Sequence, residues 1–436
     1  MKALAESLVA GELTVETVVA RCTHTLGKQW RWLRPLARRY VARFSGRTRP
    51  RRQFVIQFLL ADIGFRRAYS KHFSHLAVEH WVTSPQRMLP NPAGANWEVP
   101  KIESVAALAQ WLGTDVSYLQ WFADLKGLGC KYNRPKLRHY HYRILAKDSH
   151  NMRLIEAPKQ ALKKLQQRIL TGMLDKIPVH PATHGFVKGR SIKTYVASHV
   201  GRRVLLRMDL RHFFNTFRAA RIEAFFRTLG YPESVADLLA GICTNATPGD
   251  VWKQIDTMFN RVQIWEARKL CSRPHLPQGA PTSPALANLC SYRIDCRLAG
   301  LAKSAGANYS RYADDLAFSG DAEFESCLER FSAHVAAILQ EEGFVVNYRK
   351  TRIMRQGVRQ RIVGLVANQR LNVVRNEFDR LKAILTNCVR HGVHTQNRNA
   401  HPDFRAHLEG RVSFVEMINP AKGMRLRRTF DQIRWE

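Results

Sequence analysis

Two adjacent carboxylates interrupt an apolar, strand-like stretch between residues 308 and 319, and this feature most restricts the fold. The tetrapeptide Tyr312-Ala313-Asp314-Asp315 has apolar or aromatic side chains on both sides, which predicts a β-hairpin with the two aspartates at its tip. Like charges held side by side repel each other, so the pair costs stability unless a cation neutralises it. A divalent metal site explains the pattern. A solvated surface turn is the alternative, because Asp is common in turns.

A third carboxylate ends a second apolar run at residues 204–209. A strand that delivers Asp209 beside a hairpin that delivers Asp314 and Asp315 is a ligand set for two Mg²⁺ ions about 3.5–4 Å apart. Such a pair of ions clamps the attacking and leaving oxygens of an in-line phosphoryl transfer. Hard oxygen ligands suit Mg²⁺, and substrate phosphates complete its octahedron. The three aspartates therefore predict phosphoryl-transfer chemistry.

Further motifs accompany the aspartates in a fixed order. They are residues 153–158 (RLIEAP), 184–191 (HGFVKGRS), 204–210, 276–284 (LPQGAPTSP), 312–315, 343–351 and 363–368 (VGLVAN). With these motifs, from about residue 100 to the C-terminus, the chain resembles the bacterial retron-type reverse transcriptases. Its long N-terminal extension is most similar to that of the myxobacterial-type members.

The resemblance implies an α+β fold of the right-hand polymerase type. We expect a basic, mostly helical N-terminal domain at residues 1–83 and a linker at residues 84–100. Fingers and palm are expected at residues 101–368, the palm with a ferredoxin-like (RRM-like) antiparallel sheet. A helical thumb is expected at residues 369–436. The sequence as given ends after the thumb, so we expect a stand-alone enzyme without a fused ribonuclease H or endonuclease domain.

The resemblance also implies the roles of the catalytic residues. Asp209, Asp314 and Asp315, with the backbone carbonyl of Leu210, are expected to hold two Mg²⁺ ions, for which Mn²⁺ is a substitute. Lys350 matches the family's lysine near the leaving pyrophosphate, where a cationic side chain can donate a proton.

Two residues match the positions that surround the incoming nucleotide. Phe214 lies where the family places an aromatic ring under the sugar, and such a ring would clash with a 2′-hydroxyl and select deoxynucleotides. The alternative, a phenylalanine of the core, suits its neighbour Phe213 better. Gln278 is expected to pack along the templating base pair, and Gly279 lets the backbone approach a nucleotide closely.

Four cationic residues are expected to contact the triphosphate. Lys147 and Arg153 bracket a short polar turn that matches the family's fingertip hairpin, while Lys188 and Arg190 lie on a glycine-bounded loop. Arg binds phosphate through paired hydrogen bonds, and Lys acts as a point charge. Because a basic protein carries many solvated Lys and Arg side chains, the alternative for each is an ordinary surface cation.

The primer end and the RNA account for the remaining predicted contacts. Val363, Gly364 and Leu365 are expected to grip the primer. Retron enzymes usually carry Asn-Ala-x-x-His at the place of residues 195–199, where this chain keeps only His199 of the three named residues, and we expect it to contribute to RNA recognition. They also carry Val-Thr-Gly where this chain has residues 362–364. Both departures leave the polymerase prediction intact and weaken the retron-specific one.

Net charge is strongly positive and unevenly placed. The chain of 436 residues has a formal net charge of +34 and a pI near 10.5, which indicates a polyanionic partner. Residues 28–67 interleave Arg with aromatic residues, a combination suited to RNA. The arginines singled out for RNA binding are Arg38, Arg39, Arg43, Arg51 and Arg52. The alternative is a helical domain whose aromatic rings pack inward while its arginines face water.

No sequence run indicates a membrane span or a signal peptide. The eight cysteines form no disulfide or zinc pattern and fit a reduced bacterial cytoplasm. The expected partners are a noncoding RNA template and primer, the RNA–DNA hybrid product, dNTPs and an effector protein of an antiphage system.

Three hypotheses follow. The first is a retron enzyme that makes branched single-stranded DNA (msDNA) from a structured RNA, primed by an RNA 2′-hydroxyl. The second is a related defence reverse transcriptase with another template or priming mode. The third is a catalytically idle RNA-binding scaffold.

Overall fold

The computed structural model describes residues 1–45, 50–82, 88, 90, 92–94, 96–132, 134–148, 151–253 and 261–435. The side chains of residues 146–148 and 151 are outside this description, as is most of the predicted linker between residues 84 and 91.

Helices make up most of the described chain. They are α1 Lys2–Val9, α2 Val15–Leu26, α3 Leu33–Phe44, α4 Arg52–Ala61, α5 Ile63–His72, α6 Val105–Leu112, α7 Val116–Ala123, α8 Leu128–Lys131, α9 Gln160–Gly172, α10 Ile192–Ala197, α11 Phe213–Thr216, α12 Ala219–Thr228, α13 Glu233–Cys243, α14 Arg261–Cys271, α15 Ser283–Cys290, α16 Tyr292–Ser304, α17 Ala322–Ser326, α18 Leu328–Glu341, α19 Arg375–His391, α20 Phe404–Ile418 and α21 Pro420–Phe430. Short 3₁₀ helices lie at Phe73–His75, Pro92–Gly94, Pro135–Leu137, Leu174–Lys176, Gly249–Trp252 and Val393–Thr395. None of the helices in the described ranges is both long and apolar enough to cross a membrane.

Within the described ranges, the strands form three antiparallel sheets. They are β1 Tyr140–Asp148, β2 Asn151–Pro158, β3 Val204–Asp209, β4 Asn308–Tyr312, β5 Asp315–Gly320, β6 Arg352–Arg355, β7 Arg361–Ile362, β8 Leu365–Val366 and β9 Asn372–Val373. A hairpin joins β1 to β2, a four-stranded sheet has the order β4-β5-β3-β6, and a small sheet has the order β7-β8-β9. Separate helices and antiparallel sheets define an α+β fold, which confirms the predicted class.

The chain divides into two compact units. One contains residues 1–177 and 217–286, and the other contains residues 178–216 and 287–436. The predicted four-part division into N-terminal domain, linker, fingers with palm, and thumb remains a prediction.

The first unit begins with a helical core built from α1 to α5. Tyr40 and Phe44 are buried in it, and Trp30, Trp32 and Phe58 pack against it. These rings face inward because apolar residues recur at helical spacing along amphipathic helices. Phe54, an aromatic residue of the arginine-rich segment at residues 28–67, remains exposed, with 52% of its surface accessible.

The β1–β2 hairpin of the same unit rests on a segment whose role the sequence leaves open. Leu154 of β2 shares a small apolar core with Trp252, Ile264 and Cys271, and Arg138 donates to both carboxylate oxygens of Asp250 at 2.8 and 2.7 Å. The 3₁₀ helix at Gly249–Trp252 and α14 therefore pack against the predicted fingertip hairpin.

The second unit is built around the four-stranded sheet. β3 is buried along almost its whole length, as expected for a central strand packed on both faces. The helices α19, α20 and α21 share one apolar core with the small β7-β8-β9 sheet, and all three lie within residues 369–436, where the thumb is predicted.

Candidate active site

The hairpin between β4 and β5 forms as predicted, with one difference at its tip. The turn consists of Ala313 and Asp314, whereas Asp315 already belongs to β5 and pairs with Tyr312 of β4. Ala313 has a φ of 55°, and two-residue hairpin loops favour such positive values because their twist matches that of the strands. The two aspartates therefore differ in setting: Asp314 is half-buried in the turn and Asp315 is buried in the sheet.

Backbone pairing brings the three aspartates together. Asp209, the last residue of β3, stands directly opposite Asp315 in the β3–β5 ladder. The N–H of Leu210 donates to the carbonyl oxygen of Asp314 at 2.9 Å, and the N–H of Asn347 donates to the carbonyl oxygen of Asp209 at 2.7 Å. Main-chain hydrogen bonds thus fix the backbone positions of the three aspartates relative to one another.

Cationic and amide groups of the chain contact the carboxylates of Asp315 and Asp209. Arg207 donates from Nε to Oδ1 of Asp315 at 2.6 Å and from Nη2 to Oδ2 at 2.5 Å. Asp209 has looser contacts, with Lys350 Nζ 3.3 Å from Oδ1 and Asn347 Nδ2 donating to the same oxygen at 3.0 Å. Burial raises the pKa of Asp315 in spite of the Arg207 contact, and the nearby charge of Asp209 adds to that rise.

A buried ion pair links the β4–β5 hairpin to α16. Arg311 of β4 donates through Nε and Nη2 to the two carboxylate oxygens of Asp295, both at 2.7 Å. Arg311 is 1% and Asp295 0% exposed. Thr183 and Tyr309 donate to the same carboxylate, so both charges are paired and the carboxylate accepts further hydrogen bonds, as buried charges require. Arg311 Nη1 also reaches the carbonyl oxygen of Ala313 at 3.3 Å.

Aromatic rings line the region beside the turn. Phe214 is half-buried, and its ring centroid lies 6.3 Å from that of Phe186, which in turn lies 6.2 Å from that of Tyr312. Phe186 is 55% exposed and has a φ of 59°, a strained conformation that clusters at functional sites. Phe213 is buried against Phe344 instead, in agreement with the core alternative stated for it.

Sequence reasoning missed Arg207 and Phe186 as candidate site residues. A cation on an otherwise apolar strand two residues before Asp209 was the available signal for Arg207. An aromatic residue in a glycine-containing loop was the signal for Phe186.

The glycine-bounded loop places its two cations differently. Lys188 is exposed. Arg190 donates from Nη1 to the carbonyl oxygens of Pro181 at 2.8 Å, of His180 at 3.3 Å and of Thr183. In this structure Arg190 therefore braces its own loop, and the triphosphate contacts of both residues remain predictions.

Arg153, Lys147 and Gln278 belong to the other unit, which contains residues 1–177 and 217–286. Arg153 is exposed on β2, opposite Leu145 of β1. Lys147 lies in β1, and its side chain is outside the description, like the turn at residues 149–150. The carbonyl oxygen of Gln278 accepts from the N–H of Glu156 at 2.9 Å, which anchors the Gln278 loop to β2.

A buried acid–base pair lies next to the Gln278 loop. Glu156 Oε2 is 2.9 Å from His275 Nε2, and both side chains are fully buried. His275 Nδ1 is 2.9 Å from the carbonyl oxygen of Arg273, so both ring nitrogens face acceptors, as in an imidazolium. Burial alone would lower the pKa of His275, but its hydrogen bonds to Cys271 and Glu156 raise that pKa to about 10.

The predicted primer grip is the turn between β7 and β8. Val363 and Gly364 form it with φ values of 40° and 84°, and Leu365 is buried at the start of β8. Two successive residues with positive φ are typical of the tightest hairpin turns.

His199 does not have the exposure that the predicted RNA contact requires. It is 0% exposed, and its ring nitrogens lie 2.7 Å from Ser319 Oγ and 2.6 Å from Ser310 Oγ. Burial lowers the pKa of His199 to about 3. In this structure His199 is a neutral core residue that joins the neighbouring strands β4 and β5, and a direct contact with RNA is at odds with that position.

Three of the five predicted RNA-binding arginines already have carboxylate partners. Arg39 pairs with Asp62 at 2.6 Å, Arg51 with Glu223 at 2.8 Å and Arg52 with Glu6 at 2.8 Å. Arg38 and Arg43 are exposed. RNA binding by these residues remains a prediction.

The donor set at the aspartates suits a divalent cation, although its oxygens now contact cations of the chain. Across the described ranges, no three acidic, histidine or cysteine side chains form a group that could hold a metal ion. In this arrangement Arg207 and Lys350 contact the oxygens of Asp315 and Asp209. The carboxylates are hard oxygen donors at adjoining strand ends, which is the chemistry that Mg²⁺ and Mn²⁺ prefer.

Comparison with known proteins agrees with the motif order. The family model described as reverse transcriptase (RNA-dependent DNA polymerase) matches residues 145–374. The chain is 41% identical over 342 residues to the retron Mx65 reverse transcriptase of Myxococcus xanthus, covering 78% of this chain and 74% of that protein. The retron Mx162 reverse transcriptase of the same organism is 33% identical over 337 residues, or 74% of this chain and 65% of its own length.

A third relative comes from another bacterium. The retron Ec86 reverse transcriptase of Escherichia coli is 32% identical over 233 residues, or 53% of this chain and 64% of its own length. The family model spans more than half of the chain, and the matched region contains all three aspartates. The resemblance inferred from the motifs is thereby confirmed. The chain belongs to the reverse transcriptases, which are RNA-directed DNA polymerases, and within them to the retron type, where it resembles the myxobacterial enzymes.

Proposed function

We propose that this polymerase copies a structured noncoding RNA into single-stranded DNA at Asp209, Asp314 and Asp315. The observation that supports this most directly is the backbone pairing that places Asp209 opposite Asp315 and joins Leu210 to Asp314 at the tip of the neighbouring hairpin. These carboxylates and the carbonyl of Leu210 would hold two divalent cations, which supply charge stabilisation to the attacking and leaving oxygens of phosphoryl transfer.

The remaining side chains would bind and orient the substrates. Phe214 would contact the deoxyribose, with Phe186 beside it, and Gln278 would lie along the templating pair. Lys350 would donate a proton to the leaving pyrophosphate. The cationic residues proposed for the triphosphate are Lys147, Arg153, Lys188 and Arg190, and the Val363–Gly364 turn with Leu365 would support the primer end.

The product we propose is a branched msDNA, primed from an RNA 2′-hydroxyl, that serves antiphage defence with an effector protein in the bacterial cytoplasm. The similarity to retron enzymes supports this proposal. RNA would bind in part to the N-terminal arginines, of which Arg38 and Arg43 are exposed to solvent.

The test is to express the full chain with its native upstream genomic flank and to sequence the nucleic acid that copurifies. A single-stranded DNA joined to RNA through a 2′–5′ branch is the expected result. A variant that combines Asp314→Asn with Asp315→Asn, expressed at the same level, should yield the RNA without DNA.

Other outcomes identify the competing hypotheses. DNA without a branch would keep the polymerase and replace the priming mode. RNA without DNA from the unaltered chain, in the presence of Mg²⁺ and dNTPs, would favour an RNA-binding scaffold.

A further inference from the structure

The two aspartates that face each other across β3 and β5 form a like-charge pair within the sheet. Asp209 is 6% and Asp315 7% exposed, so water screens their repulsion poorly. Directly opposite residues of an antiparallel pair have Cβ atoms roughly 4.5–5.5 Å apart, and like charges at that distance destabilise the sheet. The pair therefore needs positive charge on the same face.

Arg207 supplies that charge from the same strand. It precedes Asp209 by two residues on β3, so both side chains leave the same face of the sheet. From there the guanidinium reaches diagonally to Asp315 and contacts both of its oxygens, at 2.6 and 2.5 Å. Because an arginine side chain is not deprotonated in proteins, the guanidinium keeps its charge at any working pH.

The contacts of the two aspartates are unequal. Bidentate guanidinium–carboxylate pairs are among the strongest side-chain contacts, and this one uses both oxygens of Asp315. Lys350 approaches Asp209 only to 3.3 Å, and its side chain is 40% exposed. A cation that coordinates Asp315 binds oxygens that Arg207 already contacts and lies within a few ångströms of its positive charge. On Asp209 the contacts are longer, with Lys350 at 3.3 and 3.4 Å from the two oxygens and the neutral amide of Asn347 at 3.0 Å.

We infer that Arg207 is the built-in counter-ion of the catalytic carboxylates and sets their affinity for divalent metal. It orients Asp315 and competes with the metal for its oxygens, so Arg207 is a positioning residue that acts through Asp315. This inference rests on the proposed metal ligands.

The test measures Mn²⁺ binding to the full chain by the electron paramagnetic resonance signal of free Mn²⁺, without dNTP or template. Removing a unit charge a few ångströms from the metal should strengthen binding, so Arg207→Gln should bind Mn²⁺ about tenfold more tightly than the unaltered chain. Arg207→Lys keeps the positive charge but cannot donate two parallel hydrogen bonds to Asp315, so an intermediate Mn²⁺ affinity is expected.

A matched control lies four residues earlier in the chain. Arg203 donates to Glu325 at 2.5 Å and its side chain is 59% exposed, so Arg203→Gln removes one charge and one ion pair without touching an aspartate. Its Mn²⁺ affinity should stay within about twofold of the unaltered chain, because exposed charges are screened. An equal increase in Arg203→Gln and Arg207→Gln would mean a general effect of net charge and would overturn the inference.

Thermal unfolding gives a second readout that does not require activity. In EDTA, Arg207→Gln should unfold at a lower temperature than the unaltered chain, and Mn²⁺ should raise its unfolding temperature by more. If Arg207→Gln does not fold in either condition, Arg207→Lys decides, and an affinity equal to that of the unaltered chain would refute the competition. Saturable Mn²⁺ binding that is the same in all variants overturns this inference alone. If neither the unaltered chain nor Arg207→Gln binds Mn²⁺ saturably, the proposed metal ligands fail as well.

Discussion

Gly185 lies against the backbone of Ala313 so closely that a Cβ atom at position 185 would stand 2.8 Å from the Ala313 nitrogen. The carbonyl oxygen of Gly185 accepts from Asn288 Nδ2 at 2.8 Å, which keeps the segment in place. The turn that carries Asp314 is therefore positioned partly by the absence of a side chain at residue 185.

Gly185→Ala should move the hairpin turn and lower kcat. A backbone atom cannot yield as a flexible side chain can, and a displacement of about 1 Å at a catalytic group costs roughly 100-fold in rate. The measurement is single-turnover extension of a primer on an RNA template. Gly300→Ala is the control, because it lies in α16 with nothing within 4 Å of the added Cβ and should keep full activity. Equal rates for Gly185→Ala and Gly300→Ala would contradict the positioning role.

Asp295→Asn should strongly destabilise the second unit. Removing one partner of a buried pair leaves the Arg311 charge uncompensated, which costs about 3–5 kcal/mol. Urea unfolding measures the loss. The exposed pair Arg202–Asp321, at 2.8 Å, offers a matched control: Asp321→Asn should change the free energy of unfolding by less than about 1 kcal/mol. Similar losses in the two variants would argue against a structural role of the buried pair.

Phe214→Ala should relax the discrimination between deoxyribonucleotides and ribonucleotides. If the ring lies under the sugar, its removal opens space for a 2′-hydroxyl, and the ratio of kcat/KM for dNTP over rNTP should fall by about 100-fold. Competing primer extension with the two nucleotides gives that ratio. Phe331→Leu serves as the control, since Phe331 of α18 is buried against Phe318 and Phe324 and should change stability without changing the ratio. An unchanged ratio in Phe214→Ala would refute the proposed role of Phe214 in selecting deoxynucleotides.

The parts of the site that the sequence predicts are those carried by local pattern. Apolar runs predict β3 and the β4–β5 hairpin, because such signals lie within short windows. The helical character of residues 369–436 follows from the resemblance. The Arg207–Asp315 and Arg311–Asp295 pairs join residues on different elements, and an arginine inside a strand carries no mark of its partner. His199 shows the same limit, since only the packed sheet reveals that its ring is buried between two serines.

Lys350 variants should separate proton donation from charge neutralisation. The amine lies 3.3 Å from Asp209, so it can act simply as a counter-ion. A guanidinium keeps the charge but cannot give up its proton in proteins. If Lys350 is the general acid, both Lys350→Arg and Lys350→Gln should lower kcat by about 100-fold or more. Recovery of kcat in Lys350→Arg alone would assign the residue to charge neutralisation. The measurement is kcat as a function of pH for each variant, compared with the same profile of the unaltered chain.

The Glu156–His275 pair should make stability fall as pH rises above neutrality. Folding raises the pKa of His275 from 6.5 to about 10, so the folded chain holds a proton that the unfolded chain releases. The stabilisation is complete below pH 6.5 and is lost as pH rises through about 10.

Urea unfolding at pH 6 and pH 9.5 measures this loss, and the comparison with His275→Gln separates it from other groups that titrate in the same range. The variant cannot take up the proton, so its free energy of unfolding should depend less on pH than that of the unaltered chain. Because Glu156 then faces a neutral amide in a buried site, the variant should also be less stable at pH 6, by about 3–5 kcal/mol. Parallel pH dependences for the two proteins would show that His275 is not charged in the folded state.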